Sequence, residues 1–157
     1  MCVNSGLRQL TVGLESGSPR IVELMNKGKN HLEHFKVAAE KLTKLPVKLV
    51  SGVIFGTPTE TPEDLQMTLD FILKIRAINP NFFVSSTFYR PLPNTVMSDL
   101  AKQHGYREPT SLKEYAEQGE KGHYFYNQFK SAPWIVEPEK YKAIYETFKA
   151  QNEGLFI

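Results

Sequence analysis

Cysteine is nearly absent: Cys2 is the one thiol in 157 residues. A lone thiol excludes an internal disulfide and a cysteine-built metal site within this chain. It fits a reducing compartment, and the expected localisation is cytoplasmic. Long apolar runs are missing too. Nothing approaches the roughly 20 residues of a membrane-spanning helix, and the N-terminus lacks the basic-then-apolar layout of a signal peptide, so no membrane partner is expected. Charge of one sign is not in excess. Nineteen Lys and Arg against 17 Asp and Glu give a net charge of +2, and the scattered cations carry no nucleic-acid signal. His31, His34, His104 and His123 show no metal-ligand spacing. There is no HExxH, and "ESGSP" lacks the glycine two before the serine that a nucleophile elbow needs.

What is present is ordinary for one globular domain, with 41% hydrophobic and 23% charged residues. Residues 7–14, "LRQLTVGL", read as a buried strand. Ser18 followed by Pro19 starts a helix over 19–27, closed by Gly28. A second helix follows, with Asn30 and Glu33 as a capping-box-like pair and Leu32, Phe35, Ala38, Ala39, Leu42 and Leu45 on one face. Residues 47–56 give the next strand, and Thr61-Pro62-Glu63-Asp64 caps a helix running to about Ile78. A third strand over 82–90 precedes a helix from Thr95 to His104. The alternation predicts parallel strands with crossover helices on one side of a curved sheet, half of a barrel whose closed form needs about 250 residues. Residues 109–157 are aromatic-rich, with helices expected at 111–118 and 138–152. Tyr141, Ile144, Tyr145 and Phe148 repeat there at the spacing of a helix packing on the sheet. "MCVNSG" reads as a helix end and a turn, so the chain is expected to be one part of a longer protein.

In parallel α/β sheets ligands sit beyond the carboxyl ends of the strands, which singles out residues 15–18, 56–60 and 89–95. Glu15 can accept hydrogen bonds from an amine or sugar hydroxyls beside a helix N-terminus; the plainer reading leaves it solvated, with Ser16 and Ser18 merely capping. Gly52 and Gly56 flank Ile54, so a flat ring could approach the backbone against an apolar face; the plainer reading is a bulge with close packing. Glu60 is expected to support the turn before Thr61. Arg90 could bind an anion or be solvated.

Together "GLRQLTVGLESGSPRIVELMNKG", "GVIFGTPTETPED" and "FYRPLPNTVMSDLAKQHGY" resemble the second half of the radical S-adenosylmethionine (radical SAM) barrel. The resemblance is closest to the Fe-S oxidoreductase branch often fused to a cobalamin-binding domain. It implies an α/β partial (β/α) barrel in which residues 1–108 hold strands four to six and residues 109–157 form a helical extension. It also implies that Glu15 and Ser16 face the ribose and amino-acid parts of S-adenosylmethionine, with Arg20 near the carboxylate. Gly52, Ile54 and Gly56 would pack on the adenine, with Glu60 in the motif's acidic place. The family's 4Fe-4S cluster needs a CxxxCxxC loop, and this chain has only Cys2. The chain alone is therefore expected to be inactive.

The implied partners are the missing N-terminal half or a cluster-bearing subunit, a small-molecule substrate, and a second copy through an open sheet edge. Cobalamin is implied only for a full-length protein. Two other readings stay open: a non-catalytic module binding S-adenosylmethionine or a nucleotide, and half of an unrelated phosphate-binding barrel.

Overall fold

The computed structural model describes residues 3–122 and 132–157. Cys2, His123 and the aromatic residues Tyr124, Phe125, Tyr126 and Phe129 lie outside the described residues. The chain runs β1 (Gln9–Glu15), α1 (Pro19–Leu24), α2 (His31–Leu42), β2 (Lys48–Phe55), α3 (Pro62–Ile78) and β3 (Phe82–Phe88). It continues with α4 (Val96–Gln103), α5 (Leu112–Gly122), α6 (Pro138–Gln151) and a 3-10 turn at Glu153–Leu155.

Among the described residues the sheet is three-stranded, in the order β1-β2-β3, and both pairings are parallel. This is the α/β, open partial barrel expected from the alternation of strands and helices. Caps explain where most helices begin. Ser18 Oγ accepts from Ile21 N ahead of Pro19, and Thr61 and Asp64 form a complete capping box ahead of α3. Thr95 Oγ1 accepts from Ser98 N at α4. Two expectations are corrected. Asn30 makes no side-chain cap bond, so there is no capping box at α2. Helix α1 stops at Leu24, short of residue 27, where Asn26 and Gly28 adopt positive φ.

The core lies between one face of the sheet and helices α2, α3 and α6. Leu49, Val53, Phe55, Phe82, Val84 and Phe88 meet Phe35, Leu65, Leu69, Ile72 and Tyr145 there. Tyr145 sits edge-on to Phe55, with ring centroids 5.0 Å apart, and to Phe88 at 5.6 Å. Tyr141, Tyr145 and Phe148 of α6 are buried, as their spacing predicts. Leu45, expected on the apolar face of the second helix, is exposed because it follows the end of α2.

The sheet's other face is uncovered along much of its length. Register aligns Thr11 with Val50 and Phe83, Gly13 with Gly52 and Ser85, and Ile54 with Thr87. Paired residues share a face, and of these Thr11 and Thr87 are exposed, whereas Gly13, Gly52, Ile54, Phe83 and Ser85 are half-buried. Val50 is the buried exception. Parallel sheets ordinarily cover both faces, so this surface is the unusual one. The two edges also differ. The outer edge of β3 carries a parallel bridge from Val84 to Phe156, and Ile157 N donates to Val84 O at 3.0 Å. The outer edge of β1 begins with the exposed Gln9, Leu10 and Thr11.

Candidate functional site

The site forms where the uncovered face meets the carboxyl ends of β1 and β2. Register places Gly13 directly beside Gly52. A Cβ added at Gly52 would meet only Gly13 Cα, at 4.0 Å. Gly52 therefore presents bare backbone that a flat ring can approach closely, beside Gly13. Ile54 flanks Gly52 on β2, and Ser85 and Thr87 continue this face on β3.

Glu15 overlooks this face. Between Gly13 and Glu15 the β1–β2 register shifts, and Glu15 takes a φ of 66°. This bulge turns the carboxylate back over β1: a Cβ on Gly13 would lie 2.3 Å from Glu15 Oε1. Lys27 Nζ bonds the same oxygen at 2.9 Å. The His31 ring donates to Leu14 O at 3.0 Å and steadies the strand exit. A non-glycine residue at positive φ is strained backbone, and here the strain lies at the carboxylate that overlooks the open face.

The other residues singled out in the first loop point elsewhere. Ser16 is fully buried. Its hydroxyl lies 2.8 Å from Thr68 Oγ1 and accepts from Ser18 N at 3.0 Å. Arg20 bonds both carboxylate oxygens of Asp64 and reaches Thr59 O at 2.7 Å and Thr59 Oγ1 at 3.1 Å. Ser18 Oγ donates to Asp64 Oδ1 at 2.6 Å. The negative charge at the start of α1 is thus Asp64 itself. Burial pushes this carboxyl up, but the bonds from Arg20, Ser18 and Thr61 outweigh it and hold its pKa below the usual range. Neither Ser16 nor Arg20 turns its polar group to the open face in this arrangement.

The second loop is enclosed. Gly56 has a φ of 68°, and a Cβ there would crowd Phe88 Cδ1 at 3.0 Å and Ile135 Cδ1 at 3.3 Å. Its N–H donates to Tyr141 Oη at 2.8 Å, and its carbonyl accepts from Trp134 Nε1 at 2.8 Å. Glu60 Oε2 accepts from Thr57 N at 2.9 Å and from Tyr141 Oη at 3.0 Å. Glu60 is fully buried, and its Oε1 has no partner among the described residues. Burial raises its pKa to about 7 despite those bonds. Beyond β3, Arg90 is exposed, and Tyr89 and Tyr106 both stack edge-on against Trp134.

Asp64, Thr68, Trp134 and Tyr141 were not singled out from sequence. Asp64 had a visible signal in the Thr-Pro-Glu-Asp cap, and Tyr141 only as a member of the packing stripe of α6. Among the described residues no group of His, Cys, Asp and Glu could hold a metal ion, and no helix is long and apolar enough to cross a membrane. A 4Fe-4S cluster held by three thiolates does not fit a chain whose one cysteine is Cys2. The bare backbone at Gly52 leaves room for a flat ring beside the Glu15 carboxylate that covers Gly13.

Residues 2–72 match the Radical SAM superfamily. This segment belongs to that superfamily. The radical SAM match ends inside α3, so β3 and the whole C-terminal region lie beyond it. Among curated proteins, the chain is 37% identical over 89 residues to the tRNA-2-methylthio-N(6)-dimethylallyladenosine synthase of Pelagibacter ubique, covering 55% of this chain and 19% of the relative. The Tropheryma whipplei enzyme of the same name is 33% identical over 99 residues, 62% of this chain and 20% of that protein. The bacteriochlorophyllide d C-12(1)-methyltransferase of Chlorobaculum tepidum is 32% identical over 84 residues, 54% of this chain and 18% of the relative. The chain thus spans about a fifth of the length of each of these relatives.

Proposed function

We propose that this chain forms the adenosine-facing part of an S-adenosylmethionine site in a radical SAM enzyme, with the cluster ligands supplied by other residues of a longer protein or by a cluster-bearing subunit. The observation that carries this reading is the Gly13–Gly52 pair on the uncovered face beneath the Glu15 carboxylate. Glu15 would accept hydrogen bonds from a ribose hydroxyl or the amino group. Gly52 and Ile54 would face the adenine. Gly56 shapes the strand exit, while Ser16 and Arg20 support the site from behind through Thr68, Asp64 and Thr59. Bound there, S-adenosylmethionine would supply the 5′-deoxyadenosyl group for hydrogen abstraction from a small-molecule substrate. The missing strands would pair along the edge of β1 and cover the open face. Cobalamin belongs to this reading only as a cofactor of a further domain.

Gly52→Val tests the ligand face without disturbing the core. The site has open space for the side chain, and a β-branched residue suits a strand. The expected result is an unchanged melting temperature with S-adenosylmethionine affinity at least ten-fold weaker by isothermal titration. Equal affinity in the two proteins, or none in the parent chain, would overturn the assignment.

A further inference from the structure

The turn that follows β2 is held by residues far away in sequence. Gly56 lies in the left-handed region, and Thr59 also has positive φ, at 68°. Within the turn, Glu60 N donates to Thr57 O at 3.0 Å. Both backbone polar groups of Gly56 are satisfied by side chains of the C-terminal region: the N–H by Tyr141, 85 positions on, and the carbonyl by Trp134, 78 positions on. Tyr141 then donates to Glu60 Oε2, which also receives Thr57 N. Because its hydroxyl accepts from one end of the turn and donates to the other, its orientation is fixed. Burial and the neighbouring Glu60 push the Tyr141 hydroxyl well above its ordinary pKa, so it keeps the proton it donates.

These bonds come from outside the radical SAM match, which ends at residue 72. The turn adjoins Ile54 and Gly52, the residues of the ligand face on β2. Its conformation therefore depends on a segment beyond the family-model match. We infer that Tyr141 is a positioning residue: it sets the 56–60 turn in the form that borders the adenosine face, so that α6 controls ligand affinity at the end of β2. This rests on the proposed S-adenosylmethionine reading for its ligand and on the hydrogen-bond geometry for the positioning itself.

Tyr141→Phe keeps the buried ring and deletes only the hydroxyl. Amide hydrogen exchange of the 157-residue chain reads the turn directly, and titration with S-adenosylmethionine reads the ligand face. The expected result is exchange at the Gly56 and Thr57 amides at least ten-fold faster, with the amides of β2 and α6 little changed, together with affinity at least five-fold weaker. Trp134→Phe, which removes the bond to Gly56 O, is expected to loosen the same turn independently. Unchanged exchange at Gly56, or acceleration shared evenly by β2 and α6, would overturn the positioning role. Faster exchange with unaltered affinity would overturn the link to the ligand. If the parent chain does not bind S-adenosylmethionine, the adenosine reading fails, and the exchange arms alone still decide whether Tyr141 sets the turn.

Discussion

Asp64→Ala is expected to lower folding stability by about 3 kcal/mol, a loss that combines a capping defect with an orphaned buried hydroxyl. Asp64 is 2% exposed and joins two segments distant in sequence, residues 18–20 and the start of α3. It accepts from Thr61 N at 3.1 Å and Thr61 Oγ1 at 3.0 Å, which closes the cap of α3. It accepts from Ser18 Oγ, which caps α1. Loss of the N-terminal box costs about 1 kcal/mol, and leaving the buried Ser18 hydroxyl without its acceptor adds about 1–3 kcal/mol. Arg20 behaves differently. Its side chain is 49% exposed, so the guanidinium rehydrates when the carboxylate is removed. Arg20→Ala alone is therefore expected to cost less than about 1 kcal/mol, as exposed partners usually do. Urea unfolding of both variants checks the ordering. A loss from Asp64→Ala no larger than that from Arg20→Ala would show that the pair, not the double cap, dominates.

The same network shows which parts of the molecule were legible in the sequence. Caps and periodicity are local, so Ser18-Pro19, Thr61-Pro62 and the Tyr141–Tyr145–Phe148 stripe reveal helices without knowledge of the fold. The alternation of strands and helices likewise restricts the topology to parallel pairing. Register is not local. Nothing in "LTVGL" and "VSGVIF" says that Gly13 will lie beside Gly52, because the pairing depends on where both strands enter the sheet. The direction of polar side chains fails for the same reason. Ser16 looks available beside Glu15, but α3 brings Thr68 to within 2.8 Å of it and removes it from the open face. Arg20 looks free to bind an anion until α3 supplies Asp64. Glu60 reads as turn support, and its Thr57 bonds agree. Its complete burial depends on α6, which no local pattern connects to residue 60.

That burial gives Glu60 the second large effect. In the folded chain its pKa is raised from 4.5 to about 7, chiefly by burial, with the Asp64 carboxylate adding to the rise. Thr57 and Tyr141 both donate to Oε2, which leaves Oε1 as the oxygen free to take up the proton. Between the ordinary carboxylate range and pH 7 the unfolded chain has released this proton, while the folded chain retains it. The folded state therefore binds more protons, and stability falls as pH rises through the window. The contribution is complete below about pH 4.5 and is lost through pH 7, for a total of about 3 kcal/mol. Asp64 works in the opposite sense, because its lowered pKa makes its contribution complete at neutral pH and lost only in stronger acid. Glu60→Gln separates the two. Its carbonyl keeps the acceptor for Thr57 and Tyr141, and the side chain no longer titrates. Between pH 5 and 8 the variant's urea midpoint is expected to stay nearly flat while that of the parent chain falls, so the variant's stability relative to the parent grows with rising pH. In stronger acid both should lose stability alike, through Asp64. Parallel curves from pH 5 to 8 would mean that Glu60 is already ionised in the folded chain. The Tyr141 bond would then hold a carboxylate, not a neutral acid.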